Sequence, residues 1–441
     1  MPEAHREIHV EDFDPTLRKH EYFHGLLPRE DAVSLLVKNG DFLVRLSEAE
    51  GSNIKTVLSV LHDPKLRCKG ATPQAREEFV VHIIIEYDKK KYYIVSDYGF
   101  NSVPELIHFY LSRPIQFKSQ LIRLRQSIGL ATWEFKAENI MLEAVVAGLT
   151  IGDVRKGKIY VQGQQPLVVA VKTIPGRTME ARQKVLELMR ECRLLRNLSH
   201  PCVTQFYGVC LMAQPHCFIL EYVAGGALDA HLRENKGAIK RDDLLMMVSC
   251  AGWGLEYLHQ KSILHRDIAA KNCLCDRQFV KLIGFSMSKR GTFYTIRSAT
   301  RVALRWMPPE TLTKFYYTQK SDVYCFGILI YEIFSASEPY EGLSSFDAKA
   351  LITEGVLNGF TGNTPKKLSE VVRDKMWAKQ EDSRSAMRQI MLWLRVYTGM
   401  ELQITNAGDV SSLIIYFRFS IPLSCSVVHV ITYEVHTHRS D

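Results

Sequence analysis

The chain has 441 residues, 46% of them hydrophobic and 24% charged, the composition of a folded protein of roughly three average domains. Disorder, collagen and coiled coil are excluded. Lysine and arginine outnumber aspartate and glutamate, 56 against 48; this mild, dispersed excess suits anionic ligands such as phosphates and does not mark a nucleic-acid binder.

Ten cysteines occur without a C-x-x-C pair. The nearest two, Cys273 and Cys275, lie in an apolar strand pattern, so reduced, buried thiols and a cytoplasmic location are expected. The opening MPEAHREIHVEDFDP is too polar for a signal peptide, and Pro2 stands where N-myristoylation needs a glycine. No transmembrane segment is expected either: the apolar stretch from Leu413 to Tyr433 is broken by Arg418, Pro422 and His429.

In chain order, DAVSLLV has helical spacing, DFLVRLS and TVLSVL read as short strands, FVVHIII and KYYIV as two more, and SVPELIHFYL as a second helix. A different pattern starts near Trp133. Strands run up to LVVAVKTI, a helix follows in EARQKVLELMRECRLLRNL, more strands lead to FILEY, and mostly helices follow to about Arg395. That order predicts a small sheet-rich lobe and a larger helical lobe. The last 46 residues, from Val396, read as short strands or a poorly packed tail.

Phe42-Leu43-Val44-Arg45 sets an arginine inside an apolar strand. A buried guanidinium needs an anion, and its planar fork matches two phosphate oxygens; an internal acid would also satisfy it. Arg29, Ser47 and His82 are further candidate donors, although His82 alone reads equally well as a half-buried histidine. HGLLPREDAVSLL, FLVRLSE, His82 in FVVHIII and the helix SVPELIHFYL together resemble an SH2 domain. The resemblance implies that Arg45 grips phosphotyrosine, with Arg29, Ser47 and His82 around it. Tyr22 replaces the tryptophan usual there, and a long basic insert, LHDPKLRCKGATPQAREE, precedes the fourth strand.

Val169-Ala170-Val171-Lys172 is a strand with one lysine emerging from an apolar run, suited to nucleotide phosphates if an acid steadies it. Glu191, nine residues before His200-Pro201, is the expected acid, with Glu187 one turn earlier on the same helix face. In His265-Arg266-Asp267-Ile268-Ala269-Ala270-Lys271-Asn272, Asp267 is placed to accept a substrate hydroxyl proton and Asn272 to reach a divalent cation. With VAVK upstream and DVYCFG, a PPE box and Arg384 downstream, the block resembles a protein kinase domain. Ala269 and Lys271 after the Asp, in place of a lysine two residues on, resemble a tyrosine kinase, as does LRWMPPE with Pro308 for the usual alanine. The order SH2 then kinase, with WEF at Trp133 to Phe135, resembles the Fps/Fes/Fer group of non-receptor tyrosine kinases, without the long membrane-binding region that precedes the SH2 domain in full-length members.

The resemblance implies an α+β chain. Residues 1–19 form an N-terminal segment, 20–125 an SH2 domain whose central antiparallel sheet is flanked by two helices, 126–132 a linker, 133–395 a bilobal kinase and 396–441 an atypical tail. It implies ATP and Mg²⁺ as cofactors, phosphotyrosine-containing proteins and tyrosine substrates as partners, and no nucleic acid. It further implies Asp267, Lys271 and Asn272 as catalytic residues and Asn272 as a metal ligand. Lys172, Glu191, Gly152, Val154, Ala170 and Glu221 would surround the nucleotide. Tyr294 matches the activation-loop phosphosite, unless it is an unmodified surface tyrosine, and Glu310 and Arg384 match a buried structural ion pair.

Two elements depart from the pattern. The glycine-rich loop should read G-x-G-x-x-G-x-V, yet aligning on Gly152 and Val154 leaves Ala147 and Leu149 at the first two glycine positions, and their side chains hinder close approach of the backbone to phosphates. Where Asp-Phe-Gly is expected, Gly284-Phe285-Ser286 stands. Without that carboxylate Mg²⁺ is held poorly, a loss of about 3 to 5 kcal/mol, on the order of a hundred- to several-thousandfold in rate. Asp276, eight residues earlier, is not a ready substitute. The alternative reading is a phosphotyrosine-binding adaptor with a kinase-like scaffold.

Overall fold

The computed structural model describes residues 14–48, 54–65, 67, 70–176, 178–297, 303–406 and 413–417. They divide into two compact units, one of residues 1–189 with 207–220 and one of residues 190–206 with 221–441. No helix among the described residues is long and apolar enough to cross a membrane, and the described cysteines are buried and form no disulfide.

In the first unit a 3-10 helix (Pro15–Lys19) precedes helix α1 (Arg29–Leu35) and strands β1 (Asp41–Glu48) and β2 (Ile54–Leu61). A short helix α2 (Pro73–Arg76), β3 (Val80–Asp88), β4 (Lys91–Tyr93) and α3 (Val103–Ser112) follow, then the hairpin β5 (Ile115–Phe117) and β6 (Gln120–Ile122), and β7 (Gln126–Ser127). The sheet order is β4-β3-β2-β1-β7. Strand alternation decides its two faces. Phe42, Val44, Leu46, Leu58, Val60, Ile83 and Ile85 share one core with Leu106, Ile107 and Tyr110 of α3. Leu43, Arg45, Ser47 and Ser59 therefore occupy the other face. Ser102 caps α3 by accepting from the Glu105 amide, and Pro104 fits its first turn.

A second sheet of the same unit has the order β11-β12-β10-β9-β8, from β8 (Ile140–Gly148), β9 (Asp153–Ile159), β10 (Leu167–Ile174), β11 (Phe206–Cys210) and β12 (His216–Glu221). Val169 and Val171 enter its core with Phe135, Ile159, Cys217 and Ile219, which puts Ala170 and Lys172 on the opposite face. The two sheets are tied together. The Leu26 amide donates to the Leu211 carbonyl at 3.1 Å, and His24, fully buried, meets both carboxylate oxygens of Glu134 at 2.9 and 3.0 Å. Gly25 has φ +59° and lies so near the Leu211 backbone that a Cβ would collide with it. Helix α4 (Met179–Leu195) follows β10.

The second unit is mainly helical. It holds α5 (Leu228–Glu234), α6 (Arg241–Gln260), α7 (Pro309–Lys314), α8 (Gln319–Ser335), α9 (Ser345–Glu354), α10 (Lys366–Val371) and α11 (Met387–Thr398). Between α6 and α8 run the short strand pairs β13 (Ile263–Leu264) with β16 (Lys289–Arg290), β14 (Cys273–Asp276) with β15 (Phe279–Leu282), and β17 (Phe293–Thr295) with β18 (Tyr316–Thr318). Helices α6 and α8 are buried along most of their length because their sequences are apolar nearly all round. The fully buried Arg384 clamps Glu310 with two bonds, of 2.7 and 2.8 Å. In the tail, β19 (Leu402–Asn406) pairs antiparallel with β20 (Leu413–Phe417).

Candidate functional sites

In the first unit, Arg45 is 4% exposed at the middle of β1. Its Nε donates to Ser59 Oγ at 3.2 Å and its Nη1 to the Leu27 carbonyl at 3.2 Å. Among the described residues no carboxylate lies within ion-pair distance of it. Burial, reinforced by the nearby Arg29, lowers the guanidinium to about 10, still charged at neutral pH. His82 lies opposite Ser59 in the β2–β3 register, with Nδ1 2.8 Å from Ser59 Oγ. Burial first, then Arg45 and Arg29, push its imidazole down to about 3. Arg29 opens α1 and is half exposed, 3.6 Å from Glu77. Ser47, two residues beyond Arg45, is half-buried on the same face. The structure thus gathers Arg45, Arg29 and His82 within electrostatic reach of one another. Ser59 escaped the sequence reading. A serine in TVLSVL signals nothing until the strand register sets it between Arg45 and His82.

The glycine-rich segment forms a tight β8–β9 hairpin in which the Leu149 amide donates to the Gly152 carbonyl at 3.1 Å, with Ala147 opposite Val154. Gly152 has φ +85°, and a Cβ there would run into the Thr173 carbonyl. Val154 pairs with Lys172 and Ala170 with Lys156 across β9 and β10. Ala147 and Gly148 are exposed.

In the second unit, buried Asp322 organises the loop of residues 265–272. It accepts from the His265 and Arg266 amides at 2.9 Å each and from Tyr317 Oη at 2.7 Å, and His259 Nε2 lies 3.1 Å away. This aspartate, in the DVYCFG segment, went unassigned by sequence because its role lies wholly in those distant amides. Asn272 Nδ2 donates to the Asp267 carbonyl at 2.8 Å, which closes the loop between the two. Asp267 and Asn272 are half-buried, whereas Lys271 is exposed, with its Nζ 5.0 Å from the Trp306 ring centroid. Glu332 of α8 accepts from the Ala270 amide at 2.9 Å. Burial pushes its carboxyl up to about 8. With Asp229, Lys271 and Trp306 it lines a cavity of about 50 Å³.

Glu191 is buried, with Oε1 3.3 Å from the Phe285 amide, whereas Glu187 is exposed and pairs with Lys184. The Glu221 carboxylate is taken up by Lys281 at 2.9 Å and by the Gln205 amide. The Tyr294 ring lies 4.0 Å from the Arg266 guanidinium and 5.9 Å from Lys289 Nζ. Lys172 belongs to the first unit, and Glu191, Asp267 and Asn272 to the second.

The residues at the metal position do not fit a magnesium ion. Gly284 offers no carboxylate, its φ is +79°, and a Cβ there would stand 2.7 Å from Asn272 Oδ1. Among the described residues no group of three or more His, Cys, Asp or Glu side chains is placed to hold a metal. Asn272 alone presents one neutral oxygen, where Mg²⁺ prefers carboxylate and phosphate ligands.

A buried arginine with no carboxylate within ion-pair distance among the described residues, set on an SH2-type sheet, and a His-Arg-Asp loop braced by an aspartate from a buried helix define an SH2-containing kinase. The family model for protein tyrosine and serine/threonine kinases matches residues 140–394, and that for the SH2 domain residues 22–110. The chain is 30% identical over 391 residues to Fer-related kinase 1 of Caenorhabditis elegans, covering 86% of this chain and 94% of that protein. It is 30% identical to human tyrosine-protein kinase Fer, covering 86% of this chain and 44% of Fer. It is 31% identical to the transforming tyrosine kinase Fps of Fujinami sarcoma virus, covering 79% and 38%. The chain belongs to the Fer/Fps family of SH2-containing non-receptor protein tyrosine kinases.

Proposed function

We propose that the chain binds phosphotyrosine-containing proteins through an SH2 domain over residues 20–125 and acts on protein tyrosines with a kinase domain over residues 133–395, in the cytoplasm. The observation that carries this reading is Arg45, buried, charged and without a carboxylate within ion-pair distance among the described residues, a state that a dianionic phosphate completes. Arg29, Ser47 and His82 surround the phosphate. Residues 126–132 serve as linker and 396–441 as tail.

In the kinase domain Lys172, Glu191, Gly152, Val154, Ala170 and Glu221 hold ATP. Asp267 takes the proton of the tyrosine hydroxyl as its oxygen bonds to the γ-phosphorus, the bond to the bridging oxygen breaks, and ADP leaves. Lys271 and Asn272 keep the loop and the substrate in place. Tyr294 receives a regulatory phosphate beside Arg266 and Lys289. Because residue 284 brings no carboxylate, turnover is slow.

The same glycine favours a second reading, a phosphotyrosine-directed adaptor whose kinase fold works without catalysis. Transfer of labelled phosphate from ATP to a tyrosine peptide separates the two. Activity in the natural chain that disappears in Asp267→Asn supports the enzyme; activity that emerges only in Gly284→Asp supports the adaptor.

A further inference from the structure

Ser59 is fully buried, and among the described residues its hydroxyl bonds to Arg45 Nε at 3.2 Å and His82 Nδ1 at 2.8 Å. A guanidinium only donates, so the Ser59 oxygen accepts from Arg45. One hydroxyl hydrogen remains. Aimed at His82 Nδ1, it makes that nitrogen an acceptor and leaves the ring proton on Nε2. The opposite tautomer would strand two groups, the serine hydrogen and the Nε2 lone pair, where burial makes every unpaired polar group costly. The first arrangement strands one. His82 Nε2 is buried and has no hydrogen-bond partner among the described residues. Burial and the two arginines hold the imidazole down to about 3, so the ring is neutral at neutral pH and carries a single proton.

We propose that Ser59 is a positioning residue: linked to Arg45, its hydroxyl fixes His82 as the Nε2–H tautomer, so that the socket offers an uncharged donor beside the guanidinium. The proposal rests on the reading that this socket takes the phosphate monoester of phosphotyrosine. A dianionic phosphate has only acceptor oxygens, so a ring in the other tautomer would have no Nε2 proton to donate to it. Sheet register makes the relay possible. Ser59 faces Leu43 across β1 and His82 across β3, and Arg45 lies two residues further along the same face.

The test uses the full chain labelled with ¹⁵N-histidine, the His82 signals assigned by their loss in His82→Gln, together with titration by a phosphotyrosine peptide. The natural chain is expected to show His82 as Nε2–H. Ser59→Ala is expected to give a mixture of tautomers and peptide binding about tenfold weaker, and Ser59→Thr is expected to restore both. If Ser59→Ala does not fold, Ser59→Cys, similar in size and a weaker donor, carries the same comparison. A pure Nε2–H signal in Ser59→Ala, or affinity within twofold of the natural chain, overturns the proposal. A natural chain that shows the Nε2–H tautomer yet binds no phosphopeptide refutes the phosphotyrosine reading while leaving the relay in place.

Discussion

A Cβ built on Gly284 would stand 2.7 Å from Asn272 Oδ1, with the glycine backbone at φ +79°. The side chain that would share a metal with residue 284 thus fills the space beside it. Asn272 is held there by its 2.8 Å bond to the Asp267 carbonyl. An alanine would meet both the left-handed backbone and this contact. Gly284→Ala is expected to lower stability by about 1 to 3 kcal/mol in urea denaturation; an unchanged midpoint would show that Asn272 moves aside freely.

The buried pair of Arg384 and Glu310 makes a second prediction. Two charges satisfy each other at 2.7 and 2.8 Å, and Ser321 Oγ donates to Glu310 as well. Removing one partner strands the other, so Glu310→Ala should cost about 3 to 5 kcal/mol. Replacing both by apolar residues should cost clearly less. Equal losses in chemical denaturation would mean that packing, and not charge pairing, holds this corner.

Glu332 gives a pH dependence. Its carboxyl titrates at about 8 in the folded chain because it is buried, against an ordinary value of 4.5. Between those values the folded state binds more protons than the unfolded state. Stability from this group is therefore fully present below about pH 4.5 and is lost as pH rises toward 8, with a slope of at most about 1.4 kcal/mol per pH unit. Glu332→Gln should remove that component from stability curves measured between pH 5 and 8. A variant with the natural slope would refute the assignment.

Much of this was legible from residue order alone, for reasons that differ by site. Arg45 was visible because a charge in an apolar strand is anomalous, and the alternation of Phe42, Val44 and Leu46 assigned its face. The HRD loop was visible because its parts lie within eight consecutive residues. Ser59 was not, since its role depends on which residues of β1 and β3 lie beside it, and pairing register is not written in any one strand. Asp322 was likewise hidden, because it acts on amides 56 and 57 residues away. The odd residue at 284 could be seen, but not that Asn272 takes up the room beside it.

The affinity of the full chain for a phosphotyrosine peptide, measured by calorimetry beside the unphosphorylated peptide and the Arg45→Ala variant, tests the Arg45 socket most directly. Binding is expected for the phosphopeptide alone, reduced by at least about a hundredfold in Arg45→Ala, as when a buried charged partner is truncated. Equal affinity of the natural chain and the variant would contradict that expectation.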